Sequence, residues 1–255
     1  MASLRRDFLL DELRTEMRAA RVDGTVAVQA RQSIEETDFL WACAEEDGSP
    51  ILGVVGWLPI ADASFPGLLD LYRERLCGLR HVVQAEAAGF LDGGAFNDGI
   101  RAMRGTGLVY DLLIYPRQLD QAVRFVDRHP QQSFVLDHVA KPDIRGDKHA
   151  AWMTGFRALA ERENVCCKLS GMVTEADPAH WTEAQLRPYF DTAVEAFGPS
   201  RLMIGTDWPV LTVGCGYAQW WRTVEGWIDQ LSADEQAEVV GGTAERIYRL
   251  NRRTQ

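Results

Sequence analysis

The chain has 255 residues and a formal net charge of −10, with 46% hydrophobic and 25% charged residues. This composition is typical of a globular protein with a large core, and the acidic balance argues against a nucleic-acid partner, which selects clustered lysine and arginine. The longest apolar stretch, residues 51–61, is far shorter than the roughly 20 residues of a spanning helix, so we expect no membrane partner either.

Predicted helices and strands alternate along the chain. A helix at 8–20 is followed by strand and helix pairs at 25–30 and 33–47, 51–58 and 65–75, 78–84 and 96–105, 108–115 and 119–129, 133–139 and 150–163, and 165–171 and 185–197, then by a strand at 201–208 and helices at 218–230 and 233–250. Ser33 is expected to cap its helix, with Glu36 completing a capping box.

This alternation indicates repeated strand–helix units around a parallel sheet. We predict an α/β fold, a TIM-like (β/α)8 barrel with the first strand missing. Seven strands are found where the barrel needs eight, and the chain opens on a helix. No linker, repeat or low-complexity segment is found, so residues 1–255 are predicted to form one barrel domain, truncated at its N-terminus.

Cysteine usage and short motifs narrow the class of protein. The five cysteines are odd in number and form no C-x-x-C pair, which favours reduced thiols in a cytoplasmic protein over a disulfide frame or a structural zinc site. No G-x-G-x-x-G or P-loop pattern occurs, so we expect no nucleotide cofactor. The absence of a G-x-S-x-G elbow argues against a serine hydrolase.

Polar side chains recur near the carboxyl ends of the predicted strands. Each alone has an ordinary structural explanation, such as a hydrogen-bonded core histidine or an aspartate that caps a loop. Their recurrence favours a site, because a barrel gathers its chemistry at this end. The residues are Arg80, His81, Gln84, Asp111, Tyr115, Asp137, His138, Lys141, Lys168, Ser170 and Asp207.

His138 and Asp207 form the pair with the clearest chemistry. A neutral imidazole and a carboxylate can both bind a divalent cation, or the carboxylate can act as general base toward a water molecule. A zinc site usually takes three protein ligands and a water, so this pair supplies an incomplete metal site.

Six segments carry a family resemblance over essentially the whole chain. They are LRRDF at 4–8, GLRHVVQ at 78–84, LDHVAKP at 136–142, KLSG at 168–171, GTDWP at 205–209 and GGTAERIY at 241–248. In this order they resemble the amidohydrolase superfamily, in the amidohydrolase-related branch of L-fuconolactone, L-rhamnonolactone and pyrone-dicarboxylate lactonases. Thr243 stands where that family usually has asparagine.

The resemblance implies a hydrolase that opens a lactone, most simply a neutral sugar-acid lactone given the acidic chain. His138 would lie at the metal or water site and Asp207 would activate the attacking water. The predicted substrate-binding residues are Arg80 and Lys141, which would hold or polarise substrate oxygens, and His81 and Trp208, which would line the pocket. The alternatives are a related barrel decarboxylase and an inactive truncated paralogue.

The chain departs from the family at its start. Family members begin with a strand that bears a His-x-His pair, and this sequence contains no such pair. We therefore expect that roughly 25–30 N-terminal residues, one strand and its loop, are lacking. The resemblance implies one zinc-like divalent metal, whose site at His138 and Asp207 would then be incomplete. The sequence does not determine whether the protein forms a homo-oligomer.

Overall fold

The computed structural model describes residues 4–250, and its centre is a sheet of seven parallel strands that pair in chain order. Residues 1–3 and 251–255 of the predicted domain lie outside this range, as would the strand that is predicted to be missing. The strands are β1 (Thr25–Val28), β2 (Ile51–Gly56), β3 (Gly78–His81), β4 (Val109–Leu112), β5 (Phe134–Leu136), β6 (Val165–Leu169) and β7 (Leu202–Ile204).

Helices connect these strands and cover the outer face of the sheet. They are α1 (Leu10–Ala20), α2 (Ile34–Glu45), α3 (Phe65–Tyr72), α4 (Gly94–Ala102), α5 (Leu119–Arg128), α6 (His149–Ala160), α7 (Met172–Glu175), α8 (Glu183–Phe197), α9 (Tyr217–Ile228), α10 (Ala233–Ala237) and α11 (Thr243–Ile247). Across residues 4–250, none of the helices has the length and apolar character needed to cross a membrane.

The two faces of the sheet belong to two separate apolar clusters. Outward side chains such as Leu79 and Leu136 pack under the helices in the larger cluster. Alternate residues point the other way, and those of five strands meet in one small cluster with Tyr248 from the C-terminal segment; they are Val55, Val109, Val135, Cys166 and Met203. Inward side chains of β2, β4, β5, β6 and β7 share one cluster only if the sheet curls around them, so the TIM-barrel-like prediction is confirmed.

Helix and strand ends differ from the sequence prediction at several points. Ser33 caps α2 as expected, and its hydroxyl accepts a hydrogen bond from the Glu36 amide at 3.2 Å. The prediction that Glu36 completes a capping box by accepting from the Ser33 amide is wrong. The Glu36 carboxylate instead accepts from the backbone amides of Ala30 and Arg31, which offer two donors where the cap offers one. The predicted helix at 233–250 is interrupted by a π-helical segment at Glu238–Gly242, where two adjacent glycines disfavour a regular α-helix.

Candidate functional site

A left-handed backbone turn ends β5 and presents two of the predicted site residues. Four consecutive non-glycine residues have positive φ, namely His138 (52°), Val139 (46°), Ala140 (60°) and Lys141 (51°). This conformation costs roughly 1–2 kcal/mol for each residue. The turn is held by a 2.7 Å hydrogen bond from the Lys141 amide to the His138 carbonyl, and by the Trp152 indole, which donates to the Val139 carbonyl at 2.8 Å. Strained backbone of this kind concentrates at functional sites.

His138 and Asp207 come together as the sequence predicted. The imidazole Nε2 lies 3.7 Å from Asp207 Oδ1, which is too long for a hydrogen bond. The other ring nitrogen, Nδ1, is 2.8 Å from the Ser170 hydroxyl. Burial lowers the pKa of His138, although the charge of Asp207 favours the imidazolium. The ring is therefore neutral at pH 7.

Glycines at the ends of β6 and β7 make room for this arrangement. A Cβ atom on Gly171, whose φ is +69°, would lie 2.7 Å from the His138 Cβ, closer than such atoms approach. A Cβ atom on Gly205 would lie 3.1 Å from the Ser170 Cβ. The Trp220 indole donates to the Gly205 carbonyl at 2.8 Å. The ends of β5, β6 and β7 can therefore pack closely because these two positions carry no Cβ atom.

Asp207 and Trp208 follow directly after β7. Asp207 also has a left-handed backbone, with φ at 57°, and the Trp208–Pro209 peptide bond is cis. The Trp208 ring packs edge-on against Phe8, with centroids 5.4 Å apart. Its indole nitrogen is buried, and no hydrogen-bond partner for it is found among residues 4–250. A ligand oxygen would satisfy this donor.

Below the site, four charged side chains from consecutive strand ends form a buried ladder across the curled sheet. Lys168 Nζ lies 2.5 Å from Asp111 Oδ2 and 2.8 Å from Asp137 Oδ1. Arg80 Nη1 lies 2.8 Å from Asp137 Oδ2, and its Nη2 donates to the Gln29 carbonyl. The ladder, Arg80–Asp137–Lys168–Asp111, contains two cations and two carboxylates. Its charges therefore balance within a region that excludes water.

The two carboxylates of the ladder respond differently to burial. Burial opposes ionisation of Asp137, but the charges of Lys168 and Arg80 outweigh it and hold the pKa of that carboxyl below its usual range. Burial raises the pKa of Asp111 to about 6, even though Lys168 favours its ionised form. Arg80 is thus committed to Asp137 and Gln29, and its predicted role toward substrate stays a prediction.

Lys141 faces a carboxylate that the sequence analysis did not single out. Its ammonium nitrogen lies 3.2 Å from Glu175 Oε1 and 5.3 Å from the centre of the Tyr115 ring. Burial raises the pKa of Glu175, and the charge of Asp207 adds to this effect. Its position in the chain could have indicated a site residue, because Glu175 ends the short helix α7 that directly follows β6 and Gly171.

His81 lies at the end of β3 in a different set of contacts. Its Nε2 is 2.8 Å from Glu86 Oε1, and the Trp57 indole donates to its Nδ1 at 3.4 Å. The ring stacks on Phe90 at a centroid distance of 4.9 Å. In the described part of the chain these contacts run to Trp57, Glu86 and Phe90 and do not join His81 to His138 or Asp207.

The residues around His138 do not fit a zinc ion on their own. Within residues 4–250 no group of three or more histidine, cysteine, aspartate or glutamate side chains is placed to hold a metal. His138 and Asp207 supply two donors, whereas a zinc site usually takes three protein ligands and a water.

Comparison with known proteins gives concordant matches. A family model described as Amidohydrolase (Amidohydro_2) matches residues 2–250. The chain is 39% identical to L-fucono-1,5-lactonase of Burkholderia multivorans over 98% of this chain and 88% of that protein. It is 34% identical to L-fucono-1,5-lactonase of Burkholderia ambifaria, over 97% and 87% of the two chains. A crystal structure of an amidohydrolase from B. multivorans with bound zinc superposes with a TM-score of 0.95 at 38% identity, covering 98% and 92% of the two chains.

Proposed function

Because the chain belongs to the amidohydrolase family, we propose that it is a hydrolase that opens a sugar-acid lactone to the corresponding hydroxy acid. Support for the substrate class comes from two relatives named L-fucono-1,5-lactonase that align with nearly the whole chain. The observation that carries the chemistry is the approach of His138 to Asp207 at the carboxyl ends of β5 and β7.

Asp207 is the proposed general base. One water molecule can hydrogen-bond to both Asp207 Oδ1 and His138 Nε2, because these atoms lie 3.7 Å apart. Asp207 accepts a proton from this water as its oxygen attacks the lactone carbonyl carbon. The ring C–O bond then breaks, and the proton passes from Asp207 to the departing alkoxide. Lactone and water are thus converted into one hydroxy acid.

Lys141 is the proposed stabiliser of the developing oxyanion. It leaves the same left-handed turn as His138, and its ammonium group keeps three donors, one of which points to Glu175. A fixed cation at this place favours the tetrahedral intermediate over the ground-state carbonyl. The hydroxyl of Ser170, when it donates to His138 Nδ1, leaves the proton of the neutral ring on Nε2, toward the water.

The test is a hydrolysis assay on the purified chain with L-fucono-1,5-lactone and an L-rhamnonolactone, read out as acid release above the spontaneous rate. Bound zinc is measured in parallel, and the assay is repeated after chelation and after zinc addition. Turnover of a lactone supports the proposal. No turnover under any metal condition, with carbon dioxide released from an aromatic acid instead, would favour a decarboxylase and refute it.

A further inference from the structure

We propose that Glu175 is a specificity-determining residue, whose carboxylate accepts hydrogen bonds from the hydroxyl groups of a neutral polyhydroxylated lactone and disfavours lactones that carry carboxylates. This inference rests on the proposed function, because it concerns the substrate of the same site. It extends that function to a residue with no assigned role.

The geometry leaves the Glu175 carboxylate with unused acceptor capacity. The salt bridge to Lys141 engages Oε1 at 3.2 Å, and the side chain remains 19% exposed. An ionised carboxylate offers about four acceptor positions. Helix α7, which carries Glu175, begins directly after Gly171, the residue that packs against His138. Because Lys141 belongs to the same turn as His138 and contacts this carboxylate, we infer that Glu175 lies at the edge of the reacting centre, within the reach of a substrate substituent.

The charges around Glu175 select among lactones. Asp207 and Asp143 both act on the Glu175 carboxyl, and each makes additional negative charge there less favourable. Lys141 is the cation that faces it. Hydroxyl groups of a sugar lactone can donate to this carboxylate, and such charge-assisted bonds are about twice as strong as neutral ones. A substrate carboxylate would meet like charge at the same place.

The central experiment compares wild type with Glu175→Gln and Glu175→Asp on three probes. These are L-fucono-1,5-lactone, the unsubstituted δ-valerolactone, and 2-pyrone-4,6-dicarboxylate. Glu195→Gln is the matched control, because Glu195 pairs with Arg157 at 2.7 Å on the exposed surfaces of α6 and α8. Circular dichroism and thermal unfolding establish that each variant is folded.

We expect Glu175→Gln to lower kcat/KM for L-fucono-1,5-lactone by roughly 10- to 100-fold, as for loss of a hydrogen bond to a charged group. Turnover of δ-valerolactone, which has no hydroxyl groups, should fall much less than that of the sugar lactone, and binding of the dicarboxylate should improve. Glu175→Asp keeps the charge and should still reject the dicarboxylate. Equal losses on both lactones would show that Glu175 merely supports Lys141, and an unaltered kcat/KM for the sugar lactone would also overturn the inference.

A binding measurement separates this inference from the proposed function. 1,5-Anhydro-L-fucitol has the ring and hydroxyls of the sugar lactone but no carbonyl group, so calorimetry with it does not depend on turnover. A wild type that hydrolyses no lactone yet binds this compound, with weaker binding in Glu175→Gln, would refute the proposed function and support the role of Glu175. Equal binding in both proteins, or none in either, would overturn the role of Glu175 whatever the assay shows.

Discussion

The hydroxyl group of Tyr248 donates to both carboxylate oxygens of Asp111, at 2.8 and 2.9 Å, across 137 residues of sequence. Tyr248 belongs to the segment after α11, and Asp111 is the last member of the buried ladder. The C-terminal segment is therefore fixed to the polar interior of the sheet, directly under the residues that form the candidate site.

Replacing Tyr248 by phenylalanine should destabilise the protein. Asp111 would lose a donor in a buried position, which costs about 1–3 kcal/mol. Tyr189→Phe is a matched control, because the Tyr189 hydroxyl is equally buried but has no hydrogen-bond partner among the described residues. Urea unfolding should show a loss for Tyr248→Phe and none for Tyr189→Phe. Equal stabilities would mean that the bond contributes nothing.

Replacing Lys168 by methionine should be more severe. Both Asp111 and Asp137 are fully buried, and removing their shared cation leaves uncompensated charge, at a cost of about 3–5 kcal/mol. Combining Lys168→Met with Asp111→Asn restores the charge balance and should recover part of the loss. Lys148→Met is the control, because its salt bridge to Asp143 is exposed to solvent and should contribute little to stability.

Replacing Gly171 by alanine should reduce activity through His138. Gly48 and Gly171 share a φ of +69°, but a Cβ atom on Gly48 meets nothing within 4 Å, whereas one on Gly171 strikes His138. Both substitutions should cost roughly 1–2 kcal/mol of stability from backbone strain. Lactone turnover, measured where both variants remain folded, should fall for Gly171→Ala alone. A comparable fall for Gly48→Ala would refute the assigned contact.

The regular part of the fold could be predicted from the sequence, because its signal is local. Apolar runs bounded by glycine and proline located all seven strands, and their alternation with helices gave a parallel sheet paired in chain order. The end of β5 could not be predicted in this way. Residues 138–141 have ordinary strand or turn side chains, and their left-handed turn depends on tertiary contacts such as that of Trp152 with Val139.

The sequence identified site residues whose side-chain chemistry alone suggests a function. It could not identify contacts between side chains that are distant in sequence. His138 and Asp207 were predicted together and lie together. The contacts of the Arg80 guanidinium with Asp137 and the Gln29 carbonyl, 57 and 51 residues away, could not be predicted from the sequence, and the role of Arg80 toward substrate stays a prediction. Glu175 was missed because nothing in its local sequence reveals that Lys141 lies opposite.

Protein stability should depend on pH through His129. This ring is buried and bonded to the Asn97 side-chain oxygen at 2.8 Å. Burial lowers its pKa to about 4, and Arg101 and Arg128 add to the effect. An unfolded histidine titrates near 6.5. Between pH 6.5 and 4 the unfolded chain therefore binds a proton at His129 that the folded chain does not bind. The contribution of His129 to the free energy of unfolding is complete above pH 6.5 and is lost as pH falls toward 4.

The loss corresponds to about 3 kcal/mol of unfolding free energy between pH 6.5 and 4. His129→Gln can keep a donor toward Asn97 without titrating. As pH falls from 6.5 to 4, the unfolding free energy of wild type should therefore decrease by more than that of the variant. His180→Gln removes an exposed histidine and serves as the control. A pH-independent difference for His129→Gln would contradict the assignment.

Replacing Asp207 by asparagine tests the proposed base directly. The side chains have the same shape, but the amide cannot accept the proton of the attacking water, so kcat should fall by roughly 10²–10⁴-fold. KM should change little, because Lys141 and Glu175 are untouched. Asp191→Asn is the control, since Asp191 forms an exposed pair with Arg187 at 2.6 Å and lies away from the site. An Asp207→Asn variant that is folded and still turns over lactone at the wild-type rate would remove Asp207 from the mechanism, and the role of base would then have to pass to another group beside His138.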